Sequence, residues 1–343
     1  MPSFVSIVSP CYREQENVAA LVNAVAKACA AEDWEYELIL VNDGSPDDTW
    51  AEIQHASAMD SRVVGINLSR NFGKEAAMFA GLQAARGDAV VIMDADLQHP
   101  PSLVPRMITS MRTQQADQVI ARRTRDGESW LRKRLSQLYY RMVQHLVDVE
   151  LGDGVGDFRA LSRRAVDALL QMSETNRFSK GLFAWIGFTQ VTVDYTNVQR
   201  GSGESSWSFS SLLTYGLDGV IAFSRKPLQV AFHLGALTSV IGLVYLVWMF
   251  VQWVTGGDGS SGYYTTIGAV IVLGGVQMML LGITGEYIGR IHQEVKRRPL
   301  YLVADVLGQT DTRPGINGVP RRVRPPAPGV VPQASIQRVE GPA

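Results

Sequence analysis

The chain has 343 residues, enough for one catalytic-sized domain and a smaller addition. Only 19% of residues are charged while 46% are hydrophobic, so part of the chain avoids water. A net charge of -1 gives no ground for an acidic or basic partner, and no nucleic-acid partner is expected. Cys11 and Cys29 follow no secretory n-region and read as small buried hydrophobes, not as a disulfide framework.

In chain order, residues 4–9 (FVSIVS) predict a strand, followed by a polar turn and a helix over 16–31. Residues 36–41 (YELILV) predict the next strand, stopped by the turn Asn42-Asp43-Gly44-Ser45. A helix over 49–59, a strand over 63–68, a helix over 74–85 and a strand over 89–93 continue the series. Repeated βα units with nearly continuous apolar strands imply a parallel sheet covered on both faces. Ligands then bind at the carboxyl ends of the strands, where residues 11–14, 42–43 and 94–96 all fall.

Beyond residue 130 the pattern changes. Residues 131–149 place apolar side chains at helical spacing, with Arg132, Lys133, Arg134 and Arg141 on other faces. A basic amphipathic helix is expected there, at a membrane surface or packed on its own domain. Residues 207–223 repeat the pattern and would lie at the headgroups. Residues 227–254 and 263–285 carry no charge, and each run suffices to cross a hydrocarbon core of about 30 Å. Arg225 and Lys226 precede the first run, and Arg290, Lys296, Arg297 and Arg298 follow the second. The positive-inside rule therefore places the catalytic half and both termini on the cytoplasmic side of the inner membrane. Residues 309–343, rich in Pro, Gly and Arg without periodicity, read as a disordered tail. The expected boundaries are a catalytic domain over 1–205, a juxtamembrane helix over 206–226, a transmembrane hairpin over 227–288, a cytoplasmic juxtamembrane segment over 289–308 and the tail. Glycines 268, 274, 275 and 282 permit close helix contacts, so a homo-oligomer stays open, though ordinary span composition explains them equally well.

The stretch VVIMDADLQHPP, residues 90–101, ends an apolar strand with Asp94 and Asp96 flanking Ala95. Two carboxylates there are costly to desolvate unless cations, water or a ligand lie nearby. Hard oxygen donors favour Mg²⁺ or Mn²⁺ bridging to a substrate's phosphates, and Gln98 can add a carbonyl oxygen. Asp43 is the companion acid, suited to accept hydrogen bonds from a base or ribose and, compatibly, to form a local Asx turn followed by a helix cap.

Together SIVSPCYREQENV, LILVNDGSPDDT, LSRNFGKEAAMFAGLQAARGD, VVIMDADLQHPP and GVGDFRALSRRAVDAL, then RGSGESSW and two terminal apolar runs, resemble membrane-bound family 2 glycosyltransferases. The nearer resemblance is to polyprenyl-phosphate glycosyltransferases, the bactoprenol glucosyltransferases and dolichol-phosphate mannose synthases. It covers residues 3–303. It implies an α/β GT-A fold, Rossmann-like with a mostly parallel sheet, followed by interfacial amphipathic helices and two transmembrane helices. The implied reaction is inverting transfer of a sugar from a nucleotide diphosphate to undecaprenyl or another polyprenyl phosphate. Pro10, Tyr12, Glu14 and Asp43 match the nucleotide-holding positions, with Asn42 and Ala95 beside them. Asp94, Asp96 and Gln98 match the metal stretch, and Asp157 matches an acid near the acceptor, with a helix cap as its alternative role. Asp157 and Asp96 are thus the catalytic candidates. Arg200 matches an arginine of a closing loop, whose usual lysine is replaced here by Ser206.

Attack by an anionic phosphate on a diphosphate needs nearby cations. Residues 122–141 hold seven basic and two acidic side chains. Arg122, Arg125, Arg132 and Lys133 are accordingly expected at the lipid phosphate, the alternative being a solvated basic face. The expected donor is UDP-glucose, with GDP-mannose as the alternative. A processive polysaccharide synthase is disfavoured by the missing Gln-x-x-Arg-Trp motif and the small number of spans, and a non-catalytic membrane scaffold by the intact acids.

Overall fold

The computed structural model describes residues 3–123, 155–172, 174, 177, 179–195, 226–255 and 262–308. Strands β1 (Phe4–Cys11), β2 (Glu35–Asn42), β3 (Val63–Leu68) and β4 (Ala89–Ile92) are Val-, Ile- and Leu-rich and almost wholly buried. Such runs can only be satisfied between two covering layers, and they pair in parallel in the order β4-β1-β2-β3. One layer includes α1 (Val18–Cys29), which buries Val18, Leu21, Val25 and Cys29 at helical spacing, together with α2 (Thr49–Met59). The other is led by α3 (Lys74–Ala84), buried continuously from Ala76 to Leu82. Gly81 lets this helix lie against β1: a Cβ there would stand 2.2 Å from Val8 Cγ1.

After a short 3-10 turn, α4 (Val104–Thr113) leads to β5 (Gln118–Arg123). Strand β6 (Val155–Ser162) inserts antiparallel between β4 and β5. Ser162 caps α5 (Arg163–Gln171) by accepting the Ala165 N–H. Helix α6 (Ser179–Trp185) and β7 (Gln190–Tyr195), parallel to β5, complete that side.

Helices α7 (Lys226–Val254) and α8 (Gly262–Val295) are long and apolar enough to cross a membrane. Gly235 of the first lies against Leu280 of the second, an ideal Cβ standing 3.6 Å from its Cδ1. Helix α8 continues past residue 285, where the uncharged run ends, and there Glu286 and Arg290, both good helix formers, pair at i,i+4.

The segment 289–308 is more than a juxtamembrane connection. It finishes α8, and Val303–Leu307 then form β8, antiparallel to β3. The sheet order is β7-β5-β6-β4-β1-β2-β3-β8. Tyr301 anchors this return: its hydroxyl bonds the Gln83 side chain and its ring meets Phe79 edge-on at 6.5 Å. The catalytic sheet therefore draws on residues at both ends of the described chain. The amphipathic segments expected over 131–149 and 207–223, and the tail over 309–343, lie outside the described residues.

Candidate active site

The site lies on the rim formed by the carboxyl ends of β1, β2 and β4. At the end of β1, Pro10 is partly buried and the Tyr12 ring is exposed, with the Arg13 guanidinium 5.5 Å from its centroid. Arg13 adopts φ +59° and donates its N–H to Ser45 Oγ, while Glu14 donates its N–H to Thr49 Oγ1 and accepts from Asn17 Nδ2 at 2.6 Å. These bonds lock the β1 and β2 loops together.

The local turn after β2 is made by Asn42, whose Oδ1 accepts the Ser45 N–H and whose Nδ2 donates to Asn67. The Asx turn expected at Asp43 is thus made by Asn42 instead. Asp43 is buried, and its carboxylate accepts the N–H groups of Phe72 at 2.7 Å and Gly73 at 2.9 Å. Burial raises its pKa despite the opposing hydrogen bonds. Each oxygen keeps lone-pair capacity beyond its backbone bond. Gly44, at φ +59°, permits this approach, since a Cβ would meet Arg70 C at 2.3 Å and Asn71 N at 2.4 Å.

The acidic centre follows from register. Ile92 pairs with Arg159 across antiparallel strands, which sets Asp94 level with Asp157 just past the end of β4. The two carboxylates are bridged by Lys74, the first residue of α3, whose Nζ stands 2.7 Å from Asp94 Oδ1 and 2.8 Å from Asp157 Oδ2. Burial by itself would raise the Asp157 pKa, but the ammonium groups of Lys74 and Lys180 outweigh it and hold the group below the usual carboxylate range. The helix-cap alternative for Asp157 is overturned, because it sits within β6 and Ser162 performs the capping.

His99 Nδ1 accepts the Asp94 N–H at 3.2 Å, and its ring stacks on Phe158 with centroids 4.9 Å apart. Burial lowers its pKa and keeps the imidazole neutral, so its 3.9 Å approach to the Asp94 carboxylate is not an ion pair. Asp96 accepts the Gln98 N–H at 3.1 Å and Gln98 Nε2 at 2.6 Å, with Leu97 between them held at φ +59°. Ala95 is buried beneath the pair.

Residues 6–170 match the glycosyl transferase family 2 model, and residues 226–291 match the GtrB C-terminal hairpin. CsbB of Bacillus subtilis (strain 168), a candidate glycosyltransferase by its name, is 50% identical over 301 residues, covering 88% of this chain and 91% of that one. The chain belongs to glycosyl transferase family 2. The SfII prophage-derived bactoprenol glucosyl transferase of Shigella flexneri is 35% identical over 300 residues, 87% of this chain and 97% of that one. Among solved structures, Mycobacterium tuberculosis glucosyl-3-phosphoglycerate synthase with Mn²⁺ and UDP-glucose aligns with a TM-score of 0.41 at 20% identity, over 63% of this chain and 76% of that one. The protein is a glycosyltransferase with a GT-A-like α/β fold.

The donor atoms of this family 2 glycosyltransferase fit a hard divalent cation. Asp94 Oδ1 is buried, and among the described residues its partner is the Lys74 ammonium at 2.7 Å. Asp94 and Asp96 supply two carboxylates, the kind of incomplete oxygen set that a Mg²⁺- or Mn²⁺-type ion completes with substrate phosphates. Gln98 turns its amide nitrogen to Asp96, which leaves the carbonyl oxygen as its remaining donor atom.

On the expected acceptor side, Arg122 forms a two-bond pair with Asp194 at 2.7 and 3.0 Å, both side chains about half exposed. Arg125, Arg132, Lys133, Arg200 and Ser206 lie outside the described residues. Sequence reasoning missed Lys74 and His99. The available signal for Lys74 was a cation on the first residue of a predicted helix, where the dipole disfavours it. Beneath the centre, Arg159 is buried against the Phe183 ring at 3.7 Å, and burial pulls its pKa to about 10.

Proposed function

We propose that this glycosyltransferase moves glucose from UDP-glucose to a polyprenyl phosphate, with inversion, on the cytoplasmic face of a membrane crossed twice by α7 and α8. The observation that carries the reading is the likeness to a bactoprenol glucosyl transferase over 97% of that protein's length, catalytic part and hairpin together. A lipid acceptor accounts for a soluble-type active site joined to an apolar hairpin.

Pro10, Tyr12, Glu14, Asn42, Asp43 and Ala95 line the nucleotide side, and Arg200 approaches the diphosphate. A divalent cation held by Asp94, Asp96 and Gln98 would neutralise charge on the departing UDP. An acceptor phosphate oxygen bonds to the sugar's anomeric carbon as the bond from that carbon to the UDP β-phosphate oxygen breaks. The acceptor is already largely anionic near neutral pH, so Asp157 acts mainly by orienting it. Arg122, Arg125, Arg132 and Lys133 offset the acceptor's charge. Lys and Arg residues flanking the hairpin, and their absence from the connecting loop, support cytoplasmic placement of both ends.

Full-length protein in vesicles containing undecaprenyl phosphate, supplied with UDP-glucose and Mg²⁺ or Mn²⁺, is expected to form a lipid-linked monosaccharide. Asp96→Ala should abolish it. Product from GDP-mannose but not UDP-glucose would overturn the donor assignment, and sugar release into water without lipid product would overturn the acceptor.

A further inference from the structure

A lysine opening a helix is electrostatically misplaced, since the positive end of the peptide dipoles repels it. Lys74 occupies that position and finds compensation from two carboxylates contributed by different strands, Asp94 after β4 and Asp157 in β6. Its direction is set by the turn before it. Gly73 takes φ +97°, and the Phe72 and Gly73 N–H groups are fixed by Asp43. Lys74 is therefore wired to the nucleotide side through the backbone and to the acidic centre through its side chain. The side chain is nevertheless 45% exposed, with room to swing.

The atom it holds is Asp94 Oδ1, which among the described residues has no other hydrogen-bonding partner to retain it once Lys74 leaves. An ammonium 2.7 Å from that oxygen and a divalent cation bound to the same oxygen would repel each other at close range. Only one of them can have it. Asp157, on the far side of the ammonium, offers Lys74 a second anchor.

We infer that Lys74 is a built-in placeholder cation: without donor it ties Asp94 to Asp157, and it cedes Asp94 to the divalent ion when the sugar nucleotide's phosphates arrive, retreating to Asp157. This rests on the metal reading of Asp94 and Asp96 proposed above. It adds an order of events, in which the ion enters with the donor and not ahead of it. Lys74 is then a positioning residue that keeps two like charges from splaying apart while the site is empty of donor.

The test measures Mn²⁺ binding, with Mn²⁺ as the probe, to the full chain in detergent by electron paramagnetic resonance, with and without UDP. Wild type is expected to bind Mn²⁺ weakly alone and at least about tenfold more tightly with UDP. Lys74→Met should bind Mn²⁺ alone about tenfold more tightly than wild type, the scale expected from deleting a competing, partly exposed ion pair. Lys180→Met removes a nearby charge that acts on Asp157, and is expected to change affinity by less than about threefold at that range. Lys74→Gln repeats the test should the Met variant misfold.

Unchanged or weaker Mn²⁺ binding in both Lys74 variants overturns the inference. So does an equal gain from Lys180→Met, which would reduce the effect to general field. Wild type that binds Mn²⁺ as tightly without UDP as with it overturns the inference on its own. Should UDP-supported binding be absent in wild type, or survive Asp96→Ala, the metal reading itself falls and the inference with it. Failure of the Lys74 arms alone leaves that reading standing.

Discussion

Gly44→Ala should disable the enzyme through a displacement that can be followed atom by atom. A methyl group at Gly44 would lie 2.3 Å from Arg70 C, against the 3.4 Å at which ordinary contact begins, so the two loops must part by about 1.1 Å. The obstacle is backbone and cannot rotate away. Asp43 is the adjacent residue, and its bonds to Phe72 and Gly73 start at 2.7 and 2.9 Å. An opening of that size carries both beyond hydrogen-bonding range. Each such bond to a carboxylate contributes about 1.5–3 kcal/mol, and the left-handed conformation costs a non-glycine residue about 1–2 kcal/mol more. The variant should lose at least about 3 kcal/mol of stability. Because the same turn aims Lys74, kcat/KM should fall about 10²-fold, the usual scale for a 1 Å misplacement. Thermal unfolding and lipid-linked glucose formation in vesicles are the assays. Gly44→Asn separates the causes, since Asn tolerates positive φ but still carries a Cβ. Recovery in Gly44→Asn, or turnover within about threefold of wild type in Gly44→Ala, would refute the close-approach argument.

Asp157→Asn should lower kcat at least about 10²-fold, because the residue is assigned to orienting the acceptor; initial rates at saturating UDP-glucose decide this. Neither cysteine should react with a disulfide reagent at pH 8 in the folded protein, and both should react on unfolding. Cys11 and Cys29 are free and buried, and burial pushes the Cys29 thiol from 9.0 up to about 12. The sign follows directly: stability owed to the neutral Cys29 thiol is fully present below its ordinary pKa and is lost as pH rises through 9.0 towards about 12. Stopping the chain after Arg298 strips Tyr301 and Val303 from the core, and should cost about 3–5 kcal/mol from burial alone, read as a fall in Tm.

Legibility in the sequence tracked the range of the interactions. The helix over 49–59 and the strand over 63–68 were read to the residue, because periodicity and flanking turn residues are local signals. The Asp94 and Asp96 pair was equally plain, two carboxylates closing an apolar run. Strand β6 was visible only as a motif around Asp157, since its identity depends on inserting between β4 and β5. Strand β8 was missed because five residues carry little pattern and their partner, β3, lies far upstream. Lys74 escaped for the same reason: Asp94 and Asp157 reach it through the fold, as does Asp43 in gripping Phe72 and Gly73. The pairing of Arg122 with Asp194 likewise depends on β5 and β7 becoming neighbours.

The position of β8 has a consequence for biosynthesis. A ribosome reaches residues 303–307 only after both apolar helices have been translated, so the nascent catalytic sheet waits with its β3 edge unpaired until the final strand emerges. An open edge of that kind is a template for wrong partners, including other nascent chains. Maturation of the catalytic unit is thereby made conditional on synthesis of its hairpin, and a chain arrested in between carries a mark of incompleteness that chaperones and proteases can read.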